Sequence, residues 1–152
     1  MKKRFGYKGR YSPTNPEKYK GDVNNIIFRS LWERRFMVYC DTNKSVLAWS
    51  SEELSVPYIS PVDNRLHKYY PDFILQLKSP NNIEEKKITM IEIKPKRQTK
   101  PPKKTQNKRR FIYETKTWGV NEAKFKAAEL YCKKKGWDFK ILTEDHILAG
   151  HK

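Results

Sequence analysis

Three runs of extended-type patterning lie between residues 46 and 94, and helical patterning flanks them on both sides. This order constrains the fold more than any other feature of the chain. Residues 24–41 contain no Gly or Pro, and Asp22 or Asn24 is placed to cap a helix there. Ile26, Ile27, Phe28, Leu31, Trp32, Phe36, Met37, Val38 and Tyr39 cover most of its circumference, which predicts burial on more than one side. Val46 to Ile59 reads as a first strand, and Pro61-Val62-Asp63-Asn64 as a turn. Leu66 to Leu77 reads as a second strand, interrupted by Pro71. Ser79-Pro80-Asn81-Asn82 is another turn, and Lys86 to Lys94 a third strand. In Val120 to Lys135, Phe125, Ala128 and Cys132 recur at i, i+3 and i+7, and Gly136 suits the position just past a helix end. Asp138 to Leu142 is a final strand, and Thr143 caps a last helical turn over 144–149. The predicted fold class is therefore α/β, a small mixed sheet in α-β-β-β-α-β order flanked by helices. Short turns make the first three strands antiparallel hairpins. The connection through the second helix returns the last strand parallel to the third by a right-handed crossover.

A chain of 152 residues is sized for one domain and buries about 70% of its unfolded surface. Aromatic residues make up 13%, which argues for a folded core despite a net charge of +16. That charge is concentrated. Residues 1–20 hold seven Lys/Arg and one acid, and residues 94–116 hold ten Lys/Arg and one acid. The remaining residues are close to neutral. The expected organisation is a basic flexible arm over 1–20 and a single domain over 21–152 with a basic loop at 95–116. Charge of one sign so concentrated points to a polyanion, nucleic acid before membrane. Arg10 in the arm, and Lys96, Arg97, Lys100, Lys103, Lys104, Lys108, Arg109 and Arg110 in the loop, are the candidate phosphate contacts. Solubilising tails are the plainer reading. No apolar run is long enough to span a bilayer, and the N-terminal residues lack the apolar stretch of a secretory signal. Two cysteines, Cys40 and Cys132, imply neither a disulfide framework nor a zinc cluster.

The near-neutral body carries the candidate chemistry. Tyr70-Pro71-Asp72-Phe73 opens one strand, and Ile91-Glu92-Ile93-Lys94 ends the next. Strand alternation puts Met90, Glu92 and Lys94 on one face and Ile91 and Ile93 on the other. Asp72, on the neighbouring antiparallel strand, falls beside Glu92. Adjacent carboxylates repel unless a cation neutralises them, and an all-oxygen set suits a hard divalent ion, Mg²⁺ or Mn²⁺. Lys94 beside them offers a positive charge to orient a water or stabilise a developing phosphorane, as phosphodiester hydrolysis requires. Glu33 shares a helix stripe with Ile26, Met37 and Cys40, a costly place for a carboxylate unless it is paired or bound to metal. Each has an ordinary alternative: an ion pair of Glu33 with Arg29 or Arg34, a Pro-Asp turn, a solvated Glu92–Lys94 pair.

Taken in order, Arg29-Ser30-Leu31-Trp32-Glu33-Arg34, Tyr69-Tyr70-Pro71-Asp72-Phe73, Glu92-Ile93-Lys94, Asn121-Glu122-Ala123-Lys124 and Lys140-Ile141-Leu142-Thr143-Glu144 resemble the PD-(D/E)xK nuclease superfamily with its restriction-endonuclease-like fold. The branch most similar is the TnsA-type endonucleases. The Lys8 to Pro13 opening, the segment Ser60 to Arg65 and the short length resemble the head completion nucleases of contractile-tailed phages. The resemblance implies a Mg²⁺-dependent DNA endonuclease in which Asp72, Glu92 and the main-chain carbonyl of Ile93 bind metal. Lys94 then positions the attacking water, Glu33 assists, and the products carry a 5′-phosphate and a 3′-hydroxyl. It also implies double-stranded DNA as substrate, Lys124 facing that DNA, and action on packaged DNA in the host cytoplasm before residence in the virion. Portal or neck proteins are the implied partners. The competing reading is a non-catalytic basic DNA-binding or portal-binding assembly protein that retains the nuclease fold.

His67 falls at an odd offset from Asp72, which favours a structural or DNA-contact role. His146 and His151 show no metal spacing. Cys40, Cys132 and the four tryptophans read as core.

Overall fold

The computed structural model describes residues 8–79 and 86–149. Its elements are β1 (Gly9–Arg10), β2 (Ile27–Phe28), α1 (Leu31–Thr42), β3 (Val46–Ser51), β4 (Val56–Ile59), β5 (Leu66–Tyr69), β6 (Phe73–Lys78), β7 (Lys86–Ile93), α2 (Lys108–Lys135), β8 (Asp138–Leu142) and α3 (Glu144–Ala149). The central sheet has the order β3-β6-β7-β8. β3, β6 and β7 are antiparallel neighbours, and β8 runs parallel to β7, as the crossover through α2 requires. β1–β2 and β4–β5 form two further antiparallel ribbons.

The alternation expected on β7 is present. Ile91 and Ile93 join Phe36, Met37, Cys40, Trp49 and Phe73 in one core under α1. Met90 joins Val56, Tyr58, Tyr69, Ala128 and Cys132 in a second core under α2. The sheet is thus sandwiched, with its β6–β7 end reached by residues from both layers.

Four expectations need correction. The first helix starts at Leu31, not 24. Ser30 caps it, its hydroxyl accepting from the Glu33 N–H at 3.1 Å. Ile27 and Phe28 instead pair with Arg10 and Gly9, and the Tyr11 N–H donates to the Ile26 carbonyl at 2.7 Å. The apolar run that mimics a helix is held by strand pairing, with Ile26 buried and Ile27 and Phe28 half-buried. The extended regions 46–59 and 66–77 each split in two, so the halves nearest the 61–64 turn form the separate β4–β5 hairpin.

The second helix begins at Lys108, three turns before Val120, with Asn107 accepting from the Arg110 N–H at 3.1 Å. The basic loop 95–116 therefore shrinks to a 3₁₀ turn at Lys96–Thr99, an irregular stretch over 100–107 and the exposed start of α2. Finally, residues 8–20 lie on the body rather than apart from it: Tyr11 and Tyr19 are buried against Trp49, at ring-centroid distances of 6.1 and 4.7 Å. The turn placed at 79–82 lies outside the described residues from Pro80 onward.

Candidate active site

The strand registers bring three acids into one row. β3 pairs Ser51 with Phe73 of β6, and β6 pairs Phe73 with Ile91 of β7. One residue beyond this row, after Ser51, before Phe73 and after Ile91, stand Glu52, Asp72 and Glu92, at the same end of three adjacent strands. Glu33, in the first turn of α1, reaches this end from the layer above and is only 1% exposed.

Ligand oxygens of Glu33, Glu52 and Asp72 all lie within 4.8 Å of one another. At an effective dielectric of about 20, two unit charges at that separation repel by about 3.5 kcal/mol. Arg29 meets the edge of the group, its guanidinium 2.9 Å from Glu52, and the Arg29 main-chain N–H donates to Glu33 at 3.4 Å. The Ser30 hydroxyl donates to Glu33 at 3.3 Å. Glu52 has φ of 54°, a left-handed conformation that a glutamate adopts only at a cost. The donor set is all oxygen and largely buried, which fits a hard divalent cation.

Asp72 and Glu92 are held differently. Asp72 Oδ2 accepts the Ile93 N–H at 2.8 Å. An extended residue directs its N–H and C=O to the same edge, so the Ile93 carbonyl faces the Asp72 side of β7. Glu92 Oε1 accepts the Tyr69 hydroxyl at 2.6 Å, and its Oε2 lies 3.6 Å from Lys94 Nζ. Burial, then the charge of Glu92, pushes the Tyr69 phenol far above its ordinary value, so it is a permanent donor. Lys94 is buried too, with its ammonium 5.8 Å from the Phe125 ring centroid.

Residues 43–144 match the family described as TnsA-like endonuclease N terminal. The chain belongs to the TnsA-like endonuclease family. It is also 38% identical over 150 residues to the head completion nuclease of Enterobacteria phage T4, covering 95% of this chain and 96% of that one. The mixed sheet with flanking helices is consistent with a restriction-endonuclease-like fold, and the family match spans Glu52, Asp72, Glu92 and Lys94 while Glu33 precedes it.

Around this endonuclease core the basic candidates disperse. Lys96 is tied to α3: its N–H donates to Glu144 at 2.6 Å and its ammonium lies 3.0 Å from Asp145. Arg97 and Lys100 border a cavity of about 180 Å³ against α2. Lys103 and Lys104 are exposed on the irregular stretch. Lys108, Arg109 and Arg110 form the first turn of α2, where Arg110 pairs with Glu114 at 3.1 Å. Lys124 is half-buried, its ammonium 5.9 and 5.7 Å from the Tyr58 and Tyr69 ring centroids. Arg10 is exposed on β1.

His67 serves the hairpin, its Nε2 2.8 Å from Asp63. His146 Nδ1 accepts the Thr143 N–H at 3.0 Å. Cys40 and Cys132 are buried free thiols.

Sequence reasoning misses Glu52 and Tyr69 as site residues. With residues 46–59 read as one strand, Glu52 falls in its middle. Only the break after Ser51 exposes it at a strand end opposite Asp72.

Proposed function

We propose that this endonuclease hydrolyses phosphodiester bonds of double-stranded DNA with a divalent cation, Mg²⁺ or Mn²⁺, and that it acts on packaged DNA in completing a phage head. The observation that carries the reading is the convergence of Glu33, Glu52 and Asp72 at one end of the sheet, with Glu92 next to Asp72 in strand register and Lys94 beside Glu92. The head-completion setting is supported by the likeness to the phage T4 relative over nearly the whole of both chains.

Glu33, Glu52, Asp72, Glu92 and the Ile93 carbonyl would hold the cation. When bound, it offsets carboxylate repulsion and withdraws charge from phosphate oxygens. Lys94 is kept in place by Glu92 and Phe125, so its ammonium is aimed rather than mobile. It orients a water for in-line attack and places positive charge where the phosphoryl oxygens gain negative charge. The water oxygen bonds to phosphorus as the P–O3′ bond breaks, leaving a 5′-phosphate and a 3′-hydroxyl. Exposed cations on β1 and at the start of α2 contact phosphates away from the scissile bond.

The test is incubation of the chain with plasmid and linear DNA, with Mg²⁺, with Mn²⁺ and with chelator. Cation-dependent cutting that disappears in Asp72→Ala and Lys94→Ala is expected. Equal cutting by both variants sinks the site assignment. No cutting by the unaltered chain, with salt-dependent DNA binding retained, favours the non-catalytic assembly role.

A further inference from the structure

A groove of about 620 Å³ runs between the tip of the β4–β5 hairpin and the first half of α2. Its apolar surface comes from Val62, Ile112 and Tyr113, which are 57%, 54% and 53% exposed. Its charged lining residues are Arg109, Lys116 and Lys124, all cationic. Large apolar side chains left in water together, with cations around them, mark a surface built for an amphipathic anion. At one end, Lys124 lies over the Tyr69 ring, and the Tyr69 hydroxyl holds Glu92. The groove therefore leads to the carboxylate site.

Two forms of DNA meet such a surface differently. An intact duplex turns phosphates outward and hides its base faces, so it would satisfy the cations and leave the apolar side chains covered by nothing apolar. An unpaired strand offers both parts: a base face for an aromatic platform, and flanking phosphates for the cations. The start of α2 strengthens the match. Lys108, Arg109 and Arg110 stand at the positive end of the helix dipole with no acid in the first turn, an arrangement that an external anion relieves.

We propose that this groove holds an unpaired DNA strand adjoining the duplex to be cut. One base lies against Tyr113, Ile112 and Val62, and flanking phosphates lie on Arg109, Lys116 and Lys124. The proposal rests on the reading that DNA is the substrate, and gives that substrate a form: duplex with a single-stranded end or gap. An acidic, apolar protein segment has related chemistry, but the continuity through Lys124 and Tyr69 to Glu92 favours the nucleic acid.

The experiment is fluorescence anisotropy with the full chain in chelator, where binding is read without cleavage. The probes are a short blunt duplex and the same duplex with a single-stranded overhang of either polarity. The overhang probe is expected to bind more tightly. Tyr113→Ala should weaken that probe by at least about fivefold, the lower bound for removing one base–aromatic stack, and leave the blunt probe unchanged. Tyr113→Phe should bind both as the unaltered chain does.

Equal affinity for the two probes overturns the proposal, as does equal weakening of both by Tyr113→Ala. If Tyr113→Ala changes neither, no base rests on Tyr113 and the proposal is also overturned. Cutting of plasmid with Mg²⁺ is scored separately, so this inference can fail while the endonuclease reading stands.

Discussion

Tyr69 donates its hydroxyl hydrogen to Glu92 across 2.6 Å, inside the second core and three residues before Asp72. The same Glu92 faces Lys94. One phenol therefore sets the orientation of a carboxylate and, through it, of the lysine proposed to aim water. Tyr69→Phe keeps the ring and its packing and removes only the donor. Partners of ligating carboxylates typically matter by about 10–100-fold in metal affinity or activity, and a loss in that range is expected. Cleavage rate measured against Mg²⁺ concentration checks it. A purely structural Tyr69 would give full activity in the Phe variant, with at most a small shift in melting temperature.

Glu52 separates function from stability. Its φ of 54° costs about 1–2 kcal/mol relative to a relaxed residue. Glycine accepts that conformation without strain but has more freedom to lose on folding, about 0.5–1 kcal/mol. The Arg29 contact is partly exposed and adds about 1 kcal/mol at most. Glu52→Gly also relieves the repulsion of Glu33 and Asp72, so in chelator it should melt at or above the unaltered chain and above Glu52→Ala, which keeps the strain. Both variants should lose at least about tenfold in cleavage if Glu52 shares the cation with Glu33 and Asp72. Thermal melts and plasmid nicking on the same preparations decide it. Undiminished nicking by both variants would remove Glu52 from the site.

What the sequence discloses about this fold depends on where the signal is local. β7, β8, Gly136 and the parallel return of β8 follow from alternation, turn chemistry and crossover handedness, all of which act over a few residues. Asp72, Glu92 and Lys94 are legible for the same reason. The start of α2 is not, because residues 108–119 pack little against the core and so show no apolar stripe; only the Asn107 cap and the absence of Gly or Pro before Gly119 mark it. Ile26 to Phe28 mislead because they pair with residues 9–11 as a strand, a contact no helical wheel contains, and only Ile26 is fully buried. Glu52 is hidden by the same kind of non-local fact: the break after Ser51 is visible only once β3 is set against β6.

Asp41 fastens the first basic segment to α1, and this makes the attachment pH-dependent. Its carboxylate accepts from the Tyr11 hydroxyl at 2.7 Å and from the Thr14 and Asn15 N–H groups at 2.7 and 2.9 Å. Burial works against the charge, yet these hydrogen bonds prevail and hold the carboxyl below its ordinary value. A depressed folded pKa means stability that is present above the unfolded pKa, about 3.9, and lost as pH falls through the folded value. Asp41→Asn should cost about 2–4 kcal/mol at neutral pH, from several bonds to a charged acceptor. The gap in melting temperature between the two proteins should narrow on acidification to pH values below the carboxylate range. Trypsin should cut at Lys18 or Lys20 faster in the variant. A gap that is constant with pH would contradict the role given to the charge.

The first turn of α2 offers the clearest division between solvated charge and DNA contact. Lys108 and Arg109 are exposed at a helix end whose dipole disfavours cations. Replacing both with alanine should leave folding intact and raise stability slightly, by about 0.3–1 kcal/mol per site relieved. If both touch phosphate, the slope of log K against log salt should flatten by roughly 0.9 for each phosphate no longer neutralised. Arg110 is a natural control, since Glu114 already pairs with it and its replacement should flatten the slope less. Binding isotherms at several salt concentrations, taken in chelator, give the slopes directly. An unchanged slope in the double variant would mean that these cations only face water, and would move the DNA path toward Arg97, Lys100 and β1.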